Sequence, residues 1–223
     1  MAASDRPRPP AVRAVIFDLD GVLVSSAGVH YEAFRRTFAD AGRELSFPEY
    51  LRIGIGAARD VLIRRVLGDD LPEERLAELM AAKARHVEEC IAEQGLEPVE
   101  GARSFVGEAR RRGLATAVAT ASRTPALLLS GAGLDGLFDV VVDRNDVERT
   151  KPHPDLYLAA AQRLSVPPES CLVIEDSPAG IGAALAAGMR VIALTTTQPA
   201  ESLAGAHAIA GGFDEIDLDT WLG

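Results

Sequence analysis

Cysteine is nearly absent from this chain. Only Cys90 and Cys171 occur among 223 residues, far apart. That spacing argues against a disulfide framework and against a zinc site, and it fits a reducing, cytoplasmic setting. Positive charge is also scarce: 23 Lys and Arg face 33 Asp and Glu, for a formal net charge of −10. A field of that sign repels phosphate backbones and anionic lipid surfaces, so neither nucleic acid nor membrane is expected as a partner. No apolar run approaches the roughly 18 residues of a membrane span, and MAASDRPRPP lacks the apolar centre of a signal peptide. Residues 1–10 read as a short disordered tail.

What is present is enough apolar material, 48% of the residues, for one sizeable core with or without a smaller appended unit. Four short apolar runs read as strands buried on both faces: Val12–Phe17, Leu114–Ala119, Val140–Val142 and Cys171–Ile174. A fifth, Arg190–Leu194, follows a helix that stops at Gly188. Segments such as SFVGEARRRG and PDLYLAAAQRL carry helical spacing between them, so strand and helix alternate. Alternation of this kind predicts an α/β fold with a parallel, Rossmann-like sheet covered by helices on both sides.

One interval breaks the pattern. From about Val29 to Gln94 the periodicity is helical throughout, as in VHYEAFRRTFADAG and ERLAELMAAKARHVEECIAEQG, each ending at glycine. The expected organisation is therefore an α/β core made of residues 11–28 and 96–223, with an all-helical insert at 29–95. Because the insert follows the first strand, it should rise from the carboxyl edge of the sheet, where open α/β sheets bind ligands.

At that edge the stretch IFDLDGVLVSS poses a physical question. Asp18 and Asp20 end an apolar strand, point the same way if extended geometry persists, and precede a glycine that permits a sharp turn. Two like charges so close need a cation or a shared proton. Taken alone, the stretch also fits a solvated strand end with a helix-capping Asp. A second acidic pair, Glu175 and Asp176 in LVIEDSPAGIGAALAAG, ends another buried strand ahead of a Ser-Pro helix start. Two such pairs on one sheet edge make an oxygen-rich pocket suited to a hard cation, Mg²⁺ first among them. Lys151, in RTKPHPDLY, is presented from a loop that Pro152 and Pro154 stiffen. Thr120, in AVATASRTP, ends a strand where its hydroxyl and the following N–H groups suit a phosphate oxygen. Each of these has an ordinary structural reading when taken singly.

In this order and at these spacings, DLDGVLVSS, TAS, TKPHPD and IEDSPAGI resemble the haloacid dehalogenase superfamily of phosphohydrolases, in the branch with a helical cap after the first strand. The resemblance implies that Asp18 is a nucleophile forming an aspartyl-phosphate and that Asp20 is the acid and base for the two half-reactions. It implies Mg²⁺ held by Asp18, the backbone carbonyl of Asp20 and Asp176, with Lys151 and Thr120 gripping the transferring phosphoryl group. Glu175 is implied to orient this set. Asp20 also separates reaction types, since relatives that cleave carbon–halogen bonds lack an acid two residues after the nucleophile. The expected substrate is a small phosphorylated metabolite, a sugar phosphate or a phosphoglycolate-like acid, and the expected state monomer or dimer.

The helical insert is expected to act as a lid that selects substrate. LRIGIGAARD suits a flexible loop, and Arg52, Arg59 and Lys83 are candidates for contacting the substrate's non-reacting end, beside the plainer reading of solvated helix faces. The resemblance to the beta-phosphoglucomutase branch includes His30 and Lys83, with hinge packing an equal reading for His30. Ser25, however, stands where that branch often has Asp, and Ala57, three residues after Gly54, stands where it has Arg, with Arg59 two positions later. A mutase must hold both phosphates of a bisphosphate intermediate, so phosphatase is expected ahead of hexose-phosphate mutase. A non-catalytic binding module ranks last, because nucleophile and lysine are both retained.

Overall fold

The computed structural model describes residues 10–54 and 59–222. The expected tail, apart from Pro10, and the loop positions Gly56 and Ala57 lie outside the described residues.

Chain order is β1 (Ala14–Phe17), α1 (Ala27–Asp40), α2 (Phe47–Ile53), α3 (Arg59–Leu67), α4 (Glu73–Gln94), α5 (Ala102–Arg111), β2 (Ala115–Ala119), α6 (Pro125–Gly131), β3 (Val140–Val142), α7 (Asp155–Leu164), β4 (Cys171–Glu175), α8 (Pro178–Ala186), β5 (Arg190–Leu194) and β6 (Ala208–Ala210). The six strands form one sheet in the order β3-β2-β1-β4-β5-β6, and every neighbouring pair is parallel. Residues two apart on β1 face opposite layers from their neighbours. Ala14 and Ile16 join Leu156, Tyr157, Ala160 and Ala161 of α7 and Ile181, Ala183 and Ala184 of α8 in one apolar layer. Phe17 points to the other side, where Phe105, Phe138 and Phe213 surround its ring at centroid distances of 6.1, 5.9 and 6.4 Å. The parallel α/β expectation holds in full.

Several details of the strands differ from the expectation: β2 begins at Ala115 rather than Leu114, and β4 runs on to Glu175 rather than ending at Ile174. The first strand begins at Ala14 rather than Val12, although Val12 is buried and the neighbouring Arg13 already bonds the flanking chains, its N–H to Ser170 O and its carbonyl to Ala115 N. The run Val140–Val142 is not buried on both faces: β3 is a sheet edge, and Val141 is exposed at 36%. The opposite edge, β6, has the same burial alternation and is absent from the sequence reading. A three-residue AIA segment carries too little periodicity to read.

The chain divides into two compact units, one formed by the described residues through Ser25 together with those from Glu97 onward, the other by Ser26–Leu96. The second unit contains α1 to α4 and no strand among its described residues. It has an apolar core of its own in which Phe34, Phe38, Tyr50, Leu62, Ile63, Leu76 and Leu79 meet. Phe34 and Phe38, one helical turn apart on α1, stack at 5.9 Å. No helix among the described residues is long and apolar enough to cross a membrane.

Centre and edge of the sheet should respond differently to truncation. Leu172, fully buried on β4, is expected to cost about 2–5 kcal/mol as Leu172→Ala, whereas Val141→Thr on the β3 edge should stay within about 0.5 kcal/mol. Chemical denaturation of both variants checks this; equal losses contradict the assigned topology.

Candidate active site

Chain order runs outward from β1 to β3 in one direction and from β4 to β6 in the other, so a crevice opens between β1 and β4 at their carboxyl ends. Phe17 pairs with Ile174 across that junction, and the Asp18 N–H donates to Ile174 O at 3.0 Å. Asp18, Glu175 and Asp176 therefore emerge side by side. The chain leaves Asp18 through a turn in which Gly21 has φ +80°, and a Cβ there would stand 2.1 Å from Asp176 Oδ2. Asp20, two residues beyond Asp18, is half-buried in this turn.

Glu175 is wholly buried and saturated with donors. Its Oε1 accepts from Lys151 Nζ at 2.6 Å and from the Tyr157 hydroxyl at 2.9 Å. Its Oε2 accepts from the N–H groups of Asp176 (2.7 Å) and Ser177 (2.8 Å) and from the Ser177 hydroxyl (3.0 Å). Ser177 also caps α8 by accepting from Gly180 N–H, with Pro178 opening the helix. Gly180 has a steric role, because a Cβ there would lie 1.6 Å from Glu175 Oε1. Lys151 reaches from the Glu175 carboxylate to Asp18 Oδ1 at 2.5 Å, and its ammonium lies 5.1 Å from the Tyr157 ring centroid. Thr120, buried at the end of β2, accepts from Ser122 N–H at 3.0 Å, which leaves the hydroxyl its single proton to donate.

Negative charge exceeds positive in this cluster, and the proton affinities register it. Burial pushes the Asp18 carboxyl well up; Lys151 opposes, while Glu175, Asp176 and Asp20 add to the rise. Burial and then Glu175 carry Asp176 up to about 7, against the hydroxyl of Thr197. Glu175 is held below its ordinary value despite burial, because Lys151 and the N–H groups of Asp176 and Ser177 favour its anion. Lys151 stays protonated, since Asp18 and Glu175 outweigh the burial that would lower it. Asp18, Glu175 and Asp176 each offer an oxygen within 4.8 Å of the others. An all-oxygen donor set with uncompensated charge fits a hard divalent cation. With Glu175 engaged by five donors, Asp18 and Asp176 are the carboxylates with capacity to spare.

The remaining candidates belong to the helical unit. Lys83 is buried on α4, with Nζ 3.1 Å from His30 Nδ1 and 5.0 Å from the Phe34 ring centroid. Arg52 is exposed in the last turn of α2, and Arg59 opens α3 half-buried. Three residues of the α/β unit were not singled out from sequence. Tyr157 sits in a helix whose apolar spacing gives it an ordinary core role, Gly180 lies inside a helical pattern, and Thr197 follows a strand with no motif around it.

A model of the family described as haloacid dehalogenase-like hydrolase matches residues 12–188. Protein CbbY of Rhodobacter capsulatus is 34% identical over 191 residues, covering 81% of this chain and 84% of that protein. The phosphorylated carbohydrates phosphatase of Thermotoga maritima is 33% identical over 184 residues, covering 81% and 84%. The structure of a CbbY variant from Rhodobacter sphaeroides, solved with xylulose-(1,5)bisphosphate, superposes with a TM-score of 0.79 at 31% identity over 92% of this chain and 96% of that one.

The charge excess has a measurable consequence. Asp176 binds its proton more tightly when folded, its affinity rising from the ordinary 3.8 to about 7, so the metal-free protein gains stability from this group at low pH and loses it as pH climbs through that window. A divalent cation competes with those protons. Differential scanning fluorimetry is expected to show Mg²⁺ raising the melting temperature more at pH 8 than at pH 5.5; an equal shift at both contradicts the site.

Proposed function

The chain belongs to the haloacid dehalogenase-like hydrolases, and from that membership we propose that it is a Mg²⁺-dependent phosphatase of a small phosphorylated sugar, acting through an aspartyl-phosphate on Asp18. The observation that carries this reading is the 2.5 Å contact between Lys151 and Asp18. A nucleophilic carboxylate and a phosphate-binding ammonium share one crevice, with Glu175 fixing the ammonium from behind.

In the first half-reaction an Asp18 oxygen forms a bond to phosphorus as the bond to the ester oxygen breaks, and Asp20 protonates that departing alkoxide. In the second, Asp20 takes a proton from the water that attacks phosphorus, the bond between phosphorus and the Asp18 oxygen breaks, inorganic phosphate is released, and the Asp18 carboxylate and the Asp20 acid are regenerated. Lys151 and the Thr120 hydroxyl are assigned the non-bridging phosphoryl oxygens, where charge accumulates. Asp18, the Asp20 carbonyl and Asp176 would hold Mg²⁺, which would supply the positive charge needed for an anionic nucleophile to approach an anionic substrate. The need for a proton at the leaving group is the reason Asp20 fits phosphate-ester cleavage; a halide leaves without one.

A sugar phosphate is favoured as substrate because the Thermotoga maritima relative is named for phosphorylated carbohydrates and the Rhodobacter sphaeroides structure holds a ketose bisphosphate. Substrate selection is assigned to the helical unit, which follows the Asp18 strand in the chain and carries His30, Lys83, Arg52 and Arg59.

Asp18→Asn is expected to lower Mg²⁺-dependent phosphate release from an aryl phosphate and from a panel of sugar phosphates by at least about 10³-fold, with an unchanged circular dichroism spectrum. Turnover retained in the variant overturns the nucleophile. Wild-type enzyme that isomerises a hexose 1-phosphate while releasing little phosphate supports the mutase reading instead.

A further inference from the structure

The segment after β5 touches the crevice from a direction that no motif announces. Thr196 Oγ1 donates to Gly21 O at 2.5 Å, tying this segment to the turn that carries Asp20. The next hydroxyl, Thr197 Oγ1, donates to Asp176 Oδ2, the nearer of two acceptors, the other being the Asp176 main-chain O at 3.3 Å. Packing is close around it: a Cβ on Gly21 would stand 2.1 Å from that same Oδ2 and 2.7 Å from Thr197 Cγ2. The backbone of Asp176 is fixed in turn, through its N–H to Glu175 Oε2 at 2.7 Å.

From this geometry we infer that Thr197 is a positioning residue for the cation, orienting the Asp176 carboxylate and thereby setting divalent-metal affinity. A carboxylate rotating freely about Cβ–Cγ presents either oxygen in many directions. A hydroxyl has one proton to give. With that proton on Oδ2, the carboxylate plane is fixed, and Oδ1 is left for a metal without reorganisation at the moment of binding. Donors of this kind behind a metal-binding carboxylate commonly govern affinity about 10- to 100-fold. Thr197 is itself exposed, so replacing it leaves the apolar core intact.

The inference rests on the cation-dependent reading above, and its test separates the two. Metal-free wild type, Thr197→Val and Thr197→Ser are titrated with MgCl₂ by isothermal calorimetry, and the melting temperature of each is recorded with and without Mg²⁺. Valine keeps the shape and removes the hydroxyl; serine keeps the hydroxyl and removes the methyl. Thr197→Val is expected to bind Mg²⁺ about tenfold more weakly, with a smaller Mg²⁺-induced rise in melting temperature. Thr197→Ser is expected within about threefold of wild type. Wild-type affinity in the valine variant overturns the inference, as does a serine variant as weak as valine, which assigns the effect to the methyl group. Should valine lower the metal-free melting temperature, the serine variant decides between these outcomes. A wild-type protein that takes up no Mg²⁺ in either measurement overturns the cation reading, and the inference with it.

Discussion

One ammonium group serves two buried carboxylates. Lys151 stands between Asp18 Oδ1 and Glu175 Oε1 at 2.5 and 2.6 Å, and neither acid is tolerable at that depth without it. The sharing is unequal. Glu175 also receives Tyr157, Ser177 and two main-chain N–H groups, so it holds Lys151 as a fixed post. Asp18 receives less and sits among Glu175, Asp176 and Asp20, which leaves its anion undercompensated. A carboxylate in that state favours a positively charged ligand beside it. Removal of Lys151 leaves both carboxylates in low dielectric without an opposite charge.

Topology delivers the four charges to one place. Parallel strands all end on the same side, and the reversal of strand order between β1 and β4 leaves their ends free of a crossing connection. Asp18 and the Glu175–Asp176 pair come from adjacent strands, Thr120 from β2 on the other side of β1, Lys151 from the loop beyond β3, and Thr197 from the loop beyond β5. Small residues allow the approach: Gly21 lets the first loop pass Asp176, and Gly180 makes room for Glu175. Their absence of a side chain is as much a part of the site as the acids.

Much of this was legible in the chain. Two-sided burial produces near-continuous apolar runs, so β1, β2, β4 and β5 could be read, and helical spacing marked the insert between β1 and β2. Edge strands hide the same signal, since β3 and β6 alternate over only three residues each, which is why one was read as interior and the other missed. In the site, Asp18, Glu175 and Asp176 were visible because acids at the ends of buried strands ask for a partner, and Lys151 because TKPHPD completes the ordered set of motifs, a lone loop lysine being ordinarily a solvated one. Tyr157 and Thr197 were not. Their roles come from hydrogen bonds to Glu175 and Asp176 that span 18 and 21 residues, and nothing local distinguishes a core tyrosine or a loop threonine from any other. The saturation of Glu175, which separates it from Asp18 and Asp176, likewise exists only once the fold brings five donors together.

The most direct measurement is the covalent state of Asp18 during turnover. Enzyme mixed with Mg²⁺ and a readily cleaved phosphate monoester, then quenched in acid within milliseconds and digested, should yield the peptide containing Asp18 heavier by one phosphoryl group. That adduct should be lost on hydroxylamine treatment, as an acyl phosphate requires. Turnover that proceeds with the Asp18 peptide unmodified at every quench time, or with the phosphoryl group found on another residue, contradicts it.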